Sequence, residues 1–174
     1  MTTVTVNETT NTVVVTTPGP AGPSGAAATM ARGQCSKMTD GTIDIIAQGS
    51  YISTGLTAAL DTDTAYGMAL GVDDAFGLRN TSGSAKLFRI YGSIDATDGN
   101  NNTLGIKLAK NGVAIDNSEC RAFTGSGAQE AKLVTSWMVE LGDGDEVSLF
   151  IANHSSVTDI ILKRGRIVAS EVFT

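Results

Sequence analysis

"WMVELGDGDEVSLFIANHSSVTDIILKRGRIVAS", residues 137–170, is a run of strands written in alternation. Val147, Leu149 and Ile151 fall on every second position, and a period of two places them on one face of an extended chain. "GDGDE" (142–146) before them and "NHSS" (153–156) after them are turn chemistry, and "TDIILKRGRIVASEV" (158–172) is a final long strand that can bend at Gly165. Upstream, "AKLVTSWMVEL" (131–141) carries apolar residues on both faces, which predicts a strand buried in the middle of a sheet.

The same grammar extends toward the N-terminus. "LFRIYGSIDA" (87–96) aligns Phe88, Ile90 and Ile94, and "TLGIKLAKNG" (103–112) aligns Leu104, Ile106 and Leu108. The polar "TDGNNN" (97–102) between them predicts a hairpin. Asn111-Gly112 is a two-residue turn signal leading straight into "VAID" (113–116). "ECRAF" (119–123), "TIDII" (42–46), "GSYIS" (49–53) and "YGMALG" (66–71) complete a set of short strands, and only "AQEAKLV" (128–134) has even a brief helical period. The fold class expected is all-β, an antiparallel jelly-roll sandwich over residues 34–174.

Two different segments precede it. Residues 1–17 alternate around a polar "NETTN", with Val4 and Val6 on one strand and Val13 and Val15 on the other, which reads as a β-hairpin arm or as a threonine-rich tail. An isolated hairpin leaves open edges, so such an arm adds its strands to a partner. In residues 18–33, "PGPAGPSG" sets Gly19, Gly22 and Gly25 at a period of three, with Pro20 and Pro23 each following a glycine. Two triplets suit either a semi-rigid spacer or a collagen-like neck where three chains meet.

Composition excludes several functions. Twelve Lys and Arg against eighteen Asp and Glu give a net charge of −6, with no basic stripe for nucleic acid. No apolar stretch has the length of a membrane span, and the N-terminus lacks the pattern of a secretory leader. Cys35 and Cys120 are expected as free thiols. His154 is the single histidine, so a histidine-based metal site or triad is not expected, and it reads as a solvent-facing turn residue. Asp143, Asp145 and Glu146 lack calcium-loop spacing, and "TGSGAQ" (124–129) lacks the Lys of a phosphate loop. No catalytic residue, cofactor or metal is expected.

The run from Trp137 to Ser170, with Leu141, then Gly144-Asp145, then Val147 to Leu149, resembles the last strands of the trimeric jelly roll shared by the globular head of the first complement component and tumour necrosis factor. "LAKNGVAI" (108–115) is similar to that family's central hairpin. The resemblance implies a homotrimer, often behind a collagen-like stalk. The order of parts, arm, short Gly-Pro piece and jelly-roll head, also resembles structural proteins of tailed bacteriophages. That likeness implies a virion protein assembled in the host cytoplasm: a capsid decoration or cement trimer whose arm (Val4, Val6, Val13, Val15) grips the major capsid protein. The alternative it leaves open is a tail-fibre or head-fibre tip that binds a host-surface receptor or glycan.

Overall fold

Alternation in residues 86–97 turns Phe88, Ile90, Gly92, Ile94 and Ala96 inward, all of them buried. The computed structural model describes residues 2–5, 12–15, 29–63, 65–99, 101–127 and 129–172. Within them the chain runs β1 (Thr2–Thr5), β2 (Thr12–Val15), β3 (Arg32–Lys37), β4 (Gly41–Ile43), β5 (Ile52–Ser53), β6 (Ala59–Leu60), β7 (Met68–Leu70) and β8 (Gly77–Asn80). It continues through β9 (Lys86–Thr97), β10 (Thr103–Lys110), β11 (Val113–Ala114), β12 (Cys120–Phe123), β13 (Ala131–Leu141), β14 (Glu146–Asn153) and β15 (Ile160–Glu171). Among the described residues the one helical segment is a 3-10 turn at Asp116–Ser118. β3 opens at Arg32, and Ala31 just before it is fully buried.

Two antiparallel sheets face each other. One has the order β13-β9-β15-β3-β6, with β4 also pairing β15; the other has β11-β10-β14-β8-β7, with β12 pairing β10 and β5 pairing β14. The long connections β8–β9, β9–β10, β13–β14 and β14–β15 all cross from one sheet to the other. That winding makes the sandwich a jelly roll.

Two sequence expectations are corrected by this topology. β9 and β10 do not form a hairpin: they lie in different sheets, with Asp98, just after β9, turned in to accept from Thr124 Oγ1 at 2.9 Å and Asn153 Nδ2 at 3.0 Å at the end of the sandwich. β13 is not central either. Among the described residues it pairs only with β9, along eleven residues, and forms the edge of its sheet, so its second apolar face is exposed. The Asn111-Gly112 turn stands as expected, with φ of 48° and 75° at the two central residues and Lys110 opposite Val113.

The core is filled by the inward rows: Phe88, Ile90, Leu133, Leu141, Leu162 and Ile167 from one sheet against Leu78, Leu104, Ile106, Leu108, Leu149 and Ile151 from the other, all fully buried. Two glycines set the spacing between layers. A Cβ on Gly92 would stand 2.7 Å from Leu149 Cδ2, and one on Gly165 would stand 2.4 Å from Phe76 Cζ. Cys35 is free and fully buried, and burial pushes its thiol up to about 12, so it packs as a small apolar group.

The acidic turn is structural. Asp143 accepts from Gly83 N–H, Asp145 pairs with Lys110 at 2.8 Å, and Glu146, nearly buried, accepts from Val72 N–H at 2.6 Å and Asp73 N–H at 3.1 Å. Bonds from Lys110, Asn111 and the Gly142 N–H hold the Asp145 carboxyl down at about 2.

Leu149→Ala removes the side chain seated over Gly92. It is expected to destabilise the head by about 2–5 kcal/mol, as other buried leucines do. Urea unfolding checks this through a lower midpoint at an unchanged slope.

Candidate functional site on the outer sheet faces

The register of the six-stranded sheet puts four rows of side chains on its outer face. Met138, Arg89, Ser170 and Arg32 form one; Ser136, Tyr91, Val168 and Gln34 the next; then Val134, Ser93, Arg166 and Ser36; then Lys132, Asp95 and Arg164. Tyr91 is 42% exposed, Val134 47% and Met138 59%, and Trp137, facing the core side at the open edge of β13, is 38% exposed. Arg89, Ser136, Trp137 and Met138 line a hollow of about 380 Å³ there. Isolated exposed apolar residues mean little, but these share one face and edge.

A second depression, of about 460 Å³, lies further along the same face between β3, β9 and β15. Its basic side chains are Arg164 and Arg166. Arg164 Nε stands 3.5 Å from Asp95, and an Arg166 nitrogen donates to Gln34 Oε1. A register shift between Leu162 and Arg164 marks a β-bulge, after which both arginines point outward on either side of the inward Gly165.

The outer face of the seven-stranded sheet is organised differently. Gly105 on β10 sits between Arg121 of β12 and Ala152 of β14, and a Cβ there would lie 2.4 Å from Tyr51 Oη and 2.6 Å from His154 Nε2. Glycine thus leaves the space into which these two rings lean. Their centroids are 5.5 Å apart in an edge-on arrangement. Tyr51 Oη donates to Glu119 Oε1 at 2.6 Å, which leaves its oxygen to accept from His154 Nε2–H at 3.1 Å. Arg121 Nε also donates to Glu119, and Lys107 Nζ lies 4.5 Å from the Tyr51 ring centre while pairing with Asp116 at 2.8 Å.

Burial, and then the Glu119 carboxylate, hold the Tyr51 phenol above its ordinary range. The hydrogen bonds from Tyr51 and Arg121 hold Glu119 below the usual carboxylate value. Burial, with Arg121 adding to it, lowers His154. His154 is therefore not the solvent-facing turn residue expected: its side chain is 14% exposed. No signal in the sequence joins Tyr51, Gly105, Glu119, Arg121 and His154, which come from four separate strands and loops.

Of the arm residues, Val4 pairs with Val13 and Val15 with Thr2, so β1 and β2 form the expected antiparallel hairpin as a sheet of their own. Val6 and the neck residues Gly19, Pro20, Gly22, Pro23 and Gly25 lie outside the described residues. Among the described residues no group of three or more His, Cys, Asp or Glu is placed to hold a metal ion.

Two facing sheets with crossing connections, a buried β14 and a bulged last strand define a jelly roll of the tumour-necrosis-factor type. Among solved structures the chain is similar to Eiger TNF from S. frugiperda, with a TM-score of 0.59 and 10% identity over 83% of this chain and 93% of that one. Murine APRIL at pH 8.5 and at pH 5.0 aligns with a TM-score of 0.46 in each case, at 8% and 11% identity, over 81% and 79% of this chain and 99% and 98% of those chains. At these identities the likeness is one of fold. No family model and no curated protein matches the sequence.

The lowered His154 fixes the sign of a pH effect. Its neutral form is favoured by folding, so its contribution is full above the unfolded value of about 6.5 and is lost as pH falls from there through the folded value. Imidazole NMR is expected to place the His154 midpoint below 6.5, and His154→Gln to flatten the stability slope in that window. A midpoint at or above 6.5 contradicts the burial described.

Proposed function

We propose that the chain is a non-enzymatic structural protein that acts as a homotrimer, a virion decoration or cement protein whose N-terminal arm anchors it to the major capsid protein. The observation that carries the trimer is the outer face of the six-stranded sheet. It exposes Tyr91, Val134 and Met138, beside the Trp137 edge, on a sheet that nothing in the chain covers among the described residues.

The charge on that face favours a ring over a face-to-face pair. Arg32, Arg89, Lys132, Arg164 and Arg166 point outward there, against Asp95 and Glu140, while the whole chain is at −6. Two copies meeting face to face would stack these basic rows on each other. A ring, in which the face of each copy meets a different, more acidic surface of the next, avoids this. Three members accord with the Gly19–Gly22–Gly25 period and with the trimers implied by the resemblance to the tumour-necrosis-factor jelly roll.

The arm supplies the anchoring. β1 and β2 pair with each other and with no other described strand, so each has an edge to offer a partner sheet. Three arms on one trimer bind with an avidity about 10²–10⁴ above that of one arm where geometry lets all engage. A second reading, a fibre tip that binds a host-surface glycan or receptor, is favoured by one observation: Phe123, 62% exposed, stands on the outer seven-stranded face beside Arg121. An exposed aromatic ring next to charged hydrogen-bonding groups suits sugar or peptide contact.

Light scattering of the full chain is expected to give three times the chain mass at micromolar concentration, and Met138→Asp to shift it toward monomer while the far-ultraviolet β spectrum persists. A stable wild-type monomer would end the trimer reading. Removing residues 1–17 is expected to leave a soluble trimer that no longer binds capsids. Undiminished incorporation into particles would refute arm anchoring.

A further inference from the structure

We infer that the outer face of the six-stranded sheet receives one particular surface of a second copy, the flank where both sheets end at β6 and β7, with Asp63 and Asp73 set against Arg89 and Arg166. This rests on the trimer reading above and names the surface that meets the basic face.

The sequence concentrates its charge in one segment. Residues 38–78 hold six aspartates and no Lys, Arg or His, so they carry the whole net charge of −6. β6 is the last strand of the six-stranded sheet and β7 the last of the other, and the two lie against each other, so together they close that side of the sandwich. Two of the six aspartates are committed: Asp40 to Lys163 at 2.6 Å, and Asp74, nearly buried, to the Ser53 hydroxyl at 2.6 Å and the Phe76 N–H at 3.0 Å. Asp63, after β6, and Asp73, after β7, are exposed, and their carboxylates have no partner among the described residues. Glu146, which accepts from the Val72 and Asp73 N–H groups, adds a further carboxylate behind them.

The flank is also partly apolar. Tyr66 and Val72 are exposed in the same two segments, and Leu60 and Leu70 are half-buried there. The six-stranded face has the same mixture with the opposite sign: Arg89, Lys132 and Arg166 among exposed Tyr91, Val134 and Met138. Arg89 has no partner among the described residues, and Arg166 makes one hydrogen bond, to Gln34, with a guanidinium of five N–H groups. On the opposite side of the sandwich the carboxylates are spent, Asp116 on Lys107, Glu119 on Arg121 and Asp145 on Lys110. Exposed ion pairs are individually weak, but several that lose water together beside apolar area fix the partner and the register. Face and flank are different surfaces of one chain, so their contact is heterologous, the kind from which rings are built.

Sedimentation of the full chain over a concentration series tests the pairing. D63K/D73K and R89E/R166E are each expected to raise the concentration at which the trimer dissociates at least about tenfold, and the four changes together, which restore opposite charges with signs exchanged, to recover most of that loss. D63N/D73N nearly preserves side-chain shape and keeps the flank testable should reversed charges disturb folding; it is expected to weaken association severalfold and to flatten its dependence on sodium chloride. A wild-type trimer that D63K/D73K or D63N/D73N leaves unchanged, or that the fourfold variant, folded by its far-ultraviolet spectrum, does not recover, overturns the flank while the trimer itself stands. A wild-type monomer overturns the trimer reading and this pairing with it.

Discussion

Leu149 seated over the bare Cα of Gly92, and Phe76 over that of Gly165, fix how closely the two sheets approach. Both glycines point inward from neighbouring strands, β9 and β15, and each leaves volume that an opposing side chain occupies, Leu149 of β14 at Gly92 and Phe76, in the turn before β8, at Gly165. Interiors are packed near crystal density, so these contacts determine more than local fit. They set which residues of β9 and β15 face the core, and alternation then dictates everything on the outer surface: Tyr91 and Ser93 flank Gly92 as Arg164 and Arg166 flank Gly165. The basic, partly apolar outer face is thus a consequence of the core.

The second requirement is polar. Among the connections that cross between the sheets, β8–β9 and β13–β14 lie together at one end and β9–β10 and β14–β15 at the other, and their backbones need partners where water is excluded. At one end Asn80, fully buried, donates from Nδ2 to Leu141 O, Gly142 O and Ser84 O and accepts from Ser82 N–H, clamping the 81–85 crossing to the 142–145 crossing. At the other, Asn153 accepts from Ser155 and Ser156 N–H and donates to Asp98, joining the 154–159 crossing to the end of β9. Short amide and carboxylate side chains do here what longer ones could not without loss of rotamer freedom. The abundance of Asn, Asp and Thr in this sequence thus serves the ends of the sandwich as well as its surface turns.

What could be read in the sequence follows the range of the interactions involved. The long alternating runs and the Asn111-Gly112 turn are local, and the chain adopts them as expected. Alternation tells which residues share a face but not which strand lies beside another. β13 therefore reads as central from its two apolar faces, although its outer apolar residues belong to an edge. The 97–102 loop fits a hairpin and a crossing equally well in sequence. Asp98 decides it through partners 26 and 55 residues away. The Tyr51–His154 cluster is less legible still, since its organising residue is a glycine, Gly105, whose meaning depends on rings contributed from outside its strand.

The two outer faces differ in how their polar groups are spent, and this separates their roles. On the seven-stranded sheet Tyr51, Glu119, Arg121 and His154 satisfy one another, and Lys107 is committed to Asp116, so that surface is internally closed apart from Phe123. On the six-stranded sheet Arg89 has no partner among the described residues, and Arg164 and Arg166 keep most of their donors, beside exposed Tyr91, Val134 and Met138. Unspent donors next to exposed apolar area cost nothing in water but gain little there. They become favourable when an acidic surface arrives, since partner and desolvation then act together. The face that the core forces outward is accordingly the one equipped to bind, while the opposite face has spent its charges on holding four strands and loops in register.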